Sequence, residues 1–226
     1  MKYQIKGEPM PVVVCQLDAG ETMICEAGAM SWMTPNMEMQ TSGGGLGKMF
    51  GRMFSGENMF QNRYVSKDGN GMIAFASKFP GAIKAVEITP SSPVIIQKSA
   101  FLAATEGIDV SVHFQKKLGT GLFGGEGFIM QKLSGSGIAF LEIDGATVAY
   151  NLAAGQKLVI DTGYLAMMDA TVKMEVEQIK GVKNVLFGGE SLFNTVVTGP
   201  GTVTVQTMPM SNLIGEIASK LPAGNK

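Results

Sequence analysis

Three glutamates end three related turns: Phe54-Ser55-Gly56-Glu57, Phe123-Gly124-Gly125-Glu126 and Phe187-Gly188-Gly189-Glu190. Hard cations take several converging oxygen ligands, so Glu57, Glu126 and Glu190 would form a cation site if the fold brought them together. Otherwise each accepts backbone N–H groups in its own Gly-rich turn or pairs with a nearby Lys or Arg. The sequence favours this local use, and no metal site is assigned. Just before each turn, basic and apolar residues interleave. Lys48, Phe50 and Arg52 serve the first turn, Lys116, Lys117 and Phe123 the second, Lys180, Lys183 and Phe187 the third. Brought to one end of the molecule, these cations would suit an anionic lipid surface, at about 1 kcal/mol per basic residue near it. The same apolar side chains would equally plug the end of a barrel or pack against a second subunit, which is the commoner use of such clusters.

Other groups that could do chemistry are less well placed. Gly43-Gly44-Gly45-Leu46-Gly47-Lys48-Met49 resembles a phosphate loop, but Ser42 stands where the first Gly belongs and Met49 where a Mg²⁺-binding hydroxyl belongs. Nucleotide binding is not expected. His113 is the one histidine, out of phase with Val110 and Val112 and so on the face a strand turns to solvent. No Ser-His-Asp grouping is readable, and no catalytic residue is assigned. Cys15 and Cys25 flank Asp18-Ala19-Gly20-Glu21, which reads as a hairpin turn that would bring them near each other. Both fall at positions that are apolar elsewhere in the chain (Val86 and Tyr150, Ile96 and Ile160), so buried free thiols are expected rather than a disulfide. Met23, Met30, Met33, Met37, Met39, Met49, Met53 and Met59 crowd the first part of the chain. Core filling is the first expectation for them and an adaptable partner surface the second.

The elements that position these groups come from a chain that repeats itself. Leu122-Phe123-Gly124-Gly125-Glu126 reappears as Leu186-Phe187-Gly188-Gly189-Glu190, and the same spacing aligns Val94 with Leu158, Ile96 with Ile160 and Phe101 with Leu165. An earlier copy aligns Leu17, Met23, Cys25, Met30, Met37 and Met39 with Ile88, Val94, Ile96, Phe101, Ile108 and Val110. The copies run approximately 12–81, 82–145 and 146–209. Units of this length exceed the ~20–45 residues of solenoid repeats, so a closed arrangement is expected. Leu158-Val159-Ile160, Val172-Lys173-Met174-Glu175-Val176, Thr195-Val196-Val197-Thr198 and Thr202-Val203-Thr204-Val205-Gln206 read as strands, punctuated by Gly-rich turns. The expected fold class is all-β: a pseudo-threefold β-prism or barrel-like fold from three internal repeats, in a single domain over 1–226. A short C-terminal helix is expected at about 211–221, capped by Ser211, with Leu213, Ile214, Ile217 and Leu221 on one face and Pro222 beyond its end.

The Phe-x-Gly-Glu turns at 54–57, 123–126 and 187–190, with Glu26-Ala27-Gly28-Ala29-Met30-Ser31-Trp32-Met33, resemble the "altered inheritance of mitochondria" biogenesis family. The resemblance runs from about residue 3 to 209. It implies a β-rich fold of the tryptophan RNA-binding attenuator protein-like type with internal pseudo-threefold symmetry. Some eukaryotic members are associated with the mitochondrial inner membrane, and bacterial and archaeal members are mostly of unknown function. The family supplies no established catalytic residue, and the superfamily name describes shape rather than RNA binding.

Composition agrees with a compact protein that binds or assembles. The 226 residues carry 18 basic and 19 acidic side chains, a net charge of −1, so the basic footprint of a nucleic-acid binder is missing. Apolar residues make up 45 % and glycines number 30, which excludes a disordered chain. The N-terminus does not read as a secretory signal and no window reads as a membrane span. A cytoplasmic location follows, with a peripheral membrane position as its variant. The expected function is non-enzymatic binding or assembly, with self-association into a homo-oligomer and no cofactor. An anionic membrane surface or a membrane-associated protein is the second class of partner. The alternative is a small-molecule-binding β-barrel protein or a metal-independent enzyme with an interior pocket.

Overall fold

The computed structural model describes residues 1–40, 61–116, 127–178 and 193–220. Glu57, Glu126, Glu190, Lys48, Phe50, Arg52, Lys117, Phe123, Lys180, Lys183, Phe187 and the Gly43–Met49 loop lie outside the described residues. The first stretch holds β1 (Lys2–Lys6), β2 (Val12–Leu17), β3 (Thr22–Glu26), β4 (Met30–Met33), β5 (Met37–Gln40), β6 (Gln61–Ser66) and β7 (Gly71–Ala76). The second holds β8 (Gly81–Ile88), β9 (Val94–Gln97), β10 (Phe101–Thr105), β11 (Ile108–Lys116), β12 (Phe128–Gly135) and β13 (Gly137–Asp144). The third holds β14 (Thr147–Leu152), β15 (Lys157–Asp161), β16 (Leu165–Asp169), β17 (Lys173–Gln178), β18 (Phe193–Thr198) and β19 (Gly201–Gln206), and is followed by helix α1 (Met210–Lys220). The described residues are thus nearly all β, with one short α-helix near the C-terminus.

The same antiparallel pairings are made in each stretch. β7 lies between β2 and β4, and β6 between β3 and β5. β13 lies between β8 and β10, and β12 between β9 and β11. β19 lies between β14 and β16, and β18 between β15 and β17. Two further ladders join the stretches: β10 pairs with β3, and β16 with β9. They fuse neighbouring half-sheets into two six-stranded sheets, β5-β6-β3-β10-β13-β8 and β11-β12-β9-β16-β19-β14. The sheets β1-β2-β7-β4 and β15-β18-β17 are not extended by such a ladder among the described residues. No sheet closes on itself among the described residues. The all-β expectation holds, and of the prism and barrel-like forms it allowed, a closed barrel is not formed among the described residues, because closure needs the last strand of a sheet to bond to the first.

Each stretch folds as a small sandwich. Val13, Cys15 and Leu17 of β2 and Ile73 and Phe75 of β7 pack on Met23 and Cys25 of β3, with Leu102 and Phe140 of the next stretch. Ile96 and Leu133 pack with Ala104, Leu141 and Ala166 in the second core. Ile95, Phe128 and Met130 pack with Ile160, Val197 and Val203 in the third. β2 alternates, with Val13, Cys15 and Leu17 inside, because only one of its faces is covered. Val94-Ile95-Ile96-Gln97 is buried at every position, because β9 has a sandwich on each side. A fully buried Val, Leu, Ile or Phe contributes about 1.5–3 kcal/mol relative to leaving it exposed, and these cores hold the sheets together.

One bulge recurs. The ladder shifts between Met30 and Trp32, between Phe101 and Ala103, and between Leu165 and Met167. In the second stretch its effect is visible in the packing: Leu102 and Ala103, though consecutive, enter the same core, while Phe101 and Ala104 enter the other. Local disruption of the pleat lets two successive side chains face one way.

Three sequence expectations change. The turn at Asp18–Glu21 forms, with Glu21 N–H donating to the Asp18 carbonyl at 3.1 Å. It is not a hairpin: β2 pairs with β1 and β7, whereas β3 pairs with β6 and β10, so the chain crosses between the two layers of the sandwich. The helix begins at Met210, ahead of Ser211, and its first N–H is accepted by Asp144 Oδ2 at 3.0 Å. Among the methionines, Met23 and Met37 are buried, but Met33 and Met39 are exposed on β4 and β5. Among the described residues those two strands lie at the edges of their sheets, with no neighbour on one side.

Candidate functional site

Of the binding residues expected from sequence, Lys116 lies within the described chain. It ends β11, opposite Phe128, and is half-buried. Its Nζ donates to the backbone carbonyl of Val176 in β17 at 2.7 Å. The ammonium therefore ties the second stretch to an outer strand of the third. His113 is exposed in β11, within the irregularity between Val112 and Phe114. Cys15 and Cys25 are fully buried free thiols in the first core. Burial pushes each up to about 12, with the neighbouring Glu26 charge adding to the rise at Cys25. At neutral pH they are thiols, which are neither nucleophiles nor metal ligands. Burial also raises Tyr64, beside Cys25, above the ordinary tyrosine range. Among the described residues no three His, Cys, Asp or Glu side chains cluster to hold a metal ion, and no helix is long and apolar enough to cross a membrane.

Two buried polar side chains that the sequence did not single out join successive stretches. Glu142 Oε1 accepts from Ser77 Oγ at 2.9 Å and from the backbone N–H groups of Lys78 and Phe79 at 2.5 and 3.3 Å. Gln206 Oε1 accepts from the Asp144 N–H at 3.2 Å, while its Nε2 donates to Gln97 Oε1 and the Gly163 carbonyl. Glu142 follows Leu141 and Gln206 follows Val205, the residues opposite the bulge in their respective strands. Glu142 stands out as a carboxylate in the otherwise apolar Ile138–Ile143 run, whereas Gln206 merely continues the Thr-Val alternation of β19, so only the first half of this clasp carried a sequence signal.

Two strands lack the joining ladder among the described residues, β4 in the first stretch and β15 in the third. β4 and β15 are outer strands, although their counterparts β10, β16, β3 and β9 are all paired on both sides. Exposure follows pairing. Trp32 and Met33 of β4 are 47 % and 36 % exposed, whereas Ala103, Ala104, Met167 and Met168 are buried. Val159 of β15 is 60 % exposed, whereas Ile24 and Ile95 are buried. An outer strand presents unpaired N–H and C=O groups, and here it also presents apolar side chains. Such an edge is a template on which a further strand can pair.

The sequence profile of the mitochondrial biogenesis AIM24 family matches residues 3–208. An uncharacterized protein of Streptococcus pyogenes serotype M6 is 28 % identical over 236 aligned positions, which span 100 % of this chain and 93 % of that protein. The crystal structure of a Streptococcus pyogenes protein superposes with a TM-score of 0.81 at 24 % identity, covering 97 % of this chain and 99 % of the other. That likeness establishes a shared fold. With the profile extending over nearly its whole length, the chain belongs to the mitochondrial biogenesis AIM24 family.

Proposed function

We propose that the protein is a non-enzymatic assembly protein whose copies bind one another through their sheet edges. One observation carries this reading. Among the described residues, every exposed large apolar side chain that lies in a strand lies in an outer strand: Tyr3 and Ile5 in β1, Trp32 and Met33 in β4, Met39 in β5, Val112 in β11, Val148 and Tyr150 in β14, and Val159 in β15. Proteins that stay apart blunt such edges with charge, proline or a covering loop. The recurrence of the pairings and of the bulge supports a further part of the reading, that the three stretches descend from one copied segment. Light scattering across a range of concentrations tests the proposal. A mass above that of one chain, rising to a plateau, is expected, and a strict monomer at micromolar concentration would remove it.

A further inference from the structure

We infer that β15 of one copy pairs with β4 of a second copy, in the register that the chain already uses twice within itself. The inference rests on the assembly reading above and names its surface. Inside the chain, the second strand of one stretch pairs with the bulged strand of the next. Cys25 lies opposite Ala103 and Ile24 opposite Ala104 in the β3–β10 ladder. Ile96 lies opposite Met167 and Ile95 opposite Met168 in the β9–β16 ladder. The second strand of the third stretch is β15 and the bulged strand of the first is β4, and among the described residues neither has this partner. Carrying the register over places Trp32 opposite Ile160, Met33 opposite Val159 and Thr34 opposite Leu158.

The side chains fit that use. Met33 and Val159 are the exposed members of a pair whose counterparts, Ala104 with Ile24 and Met168 with Ile95, are buried. Apolar residues directly opposite each other across an antiparallel ladder stabilise it. β4 and β15 carry one basic residue, Lys157, and one acidic residue, Asp161, both at the ends of β15, so no charge opposes the centre of the contact. The occupant is a second copy because the matching edge is this chain's own. Since β4 meets β15 rather than another β4, the contact is head-to-tail, and the rotation between copies decides whether it closes into a ring.

The test combines charge variants with cross-linking of the full-length chain. Val159→Lys and Met33→Asp should each weaken self-association by about a hundredfold or more, because a charge buried in the seam has no partner. The variants Met33→Cys and Val159→Cys, each adding one exposed cysteine to the two buried native thiols, mixed and treated with a short bismaleimide, should give a linked dimer holding one chain of each kind. Neither variant alone should link efficiently, and Cys15 and Cys25 are too buried to compete. The two cysteine substitutions sit at exposed positions, so this arm stands even if a charge variant fails to fold. A wild-type oligomer with unaltered association in both charge variants and no mixed cross-link overturns the seam while leaving self-association intact. A strictly monomeric wild type overturns both. A monomeric chain carrying Met33→Cys and Val159→Cys together that links within itself shows the seam closing in one copy, and also overturns the inference.

Discussion

Ser77 Oγ donates to the carboxylate of Glu142 at 2.9 Å, and both residues are buried although they come from different stretches of the chain. Ser77 begins the connection from β7 to β8, and Glu142 lies near the end of β13. The same carboxylate oxygen takes the N–H groups of Lys78 and Phe79, so one side chain holds three successive residues of the connection. Glu142→Ala would leave two backbone donors, the N–H groups of Lys78 and Phe79, without their acceptor, whereas the Ser77 hydroxyl keeps the Phe79 carbonyl at 2.6 Å. Each buried unsatisfied group costs about 1–3 kcal/mol. Urea unfolding should show a loss of at least that size, and Glu142→Gln a smaller one, since an amide oxygen does the equivalent work at Gln206.

A methyl group at Gly81 would sit 2.1 Å from the Ile143 carbonyl oxygen, which is held in the β8–β13 ladder. The backbone has nowhere to go, so Gly81→Ala should lower the melting temperature, at a cost of about 1–3 kcal/mol or more. Gly215, within α1, has nothing within 4 Å of the same added atom. Gly215→Ala should raise the helical signal in far-UV circular dichroism, because alanine gains up to about 1 kcal/mol over glycine in a helix.

Asp144 caps α1, yet burial holds its carboxyl above the ordinary aspartate range; the Met210 N–H opposes that rise and the nearby Glu142 adds to it. The folded protein therefore binds this proton more tightly than the unfolded chain. Its contribution to stability is fully present below the ordinary aspartate value and is lost as pH rises through the elevated one. The stability of wild type minus that of Asp144→Asn should fall over this window and level off above it. Denaturant midpoints taken at successive pH values read this out, and a flat or rising difference would refute it.

Cys15 and Cys25 should resist a thiol reagent in the folded protein at pH 8. Burial keeps both protonated, up to about 12, and excludes the reagent. Two thiols per chain should react at once in denaturant. Rapid reaction of either thiol in the native state would contradict their placement in the core.

The strands were legible because period-two patterning is local. Lys173-Met174-Glu175-Val176 alternates, and it folds as part of β17. The family resemblance rested on Glu26–Met33 and on turns whose residues can be read directly. The turn after Cys15 was legible as a turn, but whether its flanking strands paired or crossed between layers was not. Pattern tells which residues of a strand face a core and leaves open which strand lies beside it. The candidate cations and turn glutamates, Lys116 apart, fall outside the described residues.

By itself, the sequence determined an all-β chain, the apolar positions that recur along it, the thiols that lie in the core and a helix near the end. Only the tertiary structure decided that the sheets stay open, that Lys116 is held by the Val176 carbonyl, and that Trp32 and Val159 stand uncovered where Ala103 and Ile95 are buried. The physical reason is that side-chain period is a property of neighbouring residues. The hydrogen bonds that place one strand beside another join residues far apart in the chain, and they depend on backbone groups that every sequence shares.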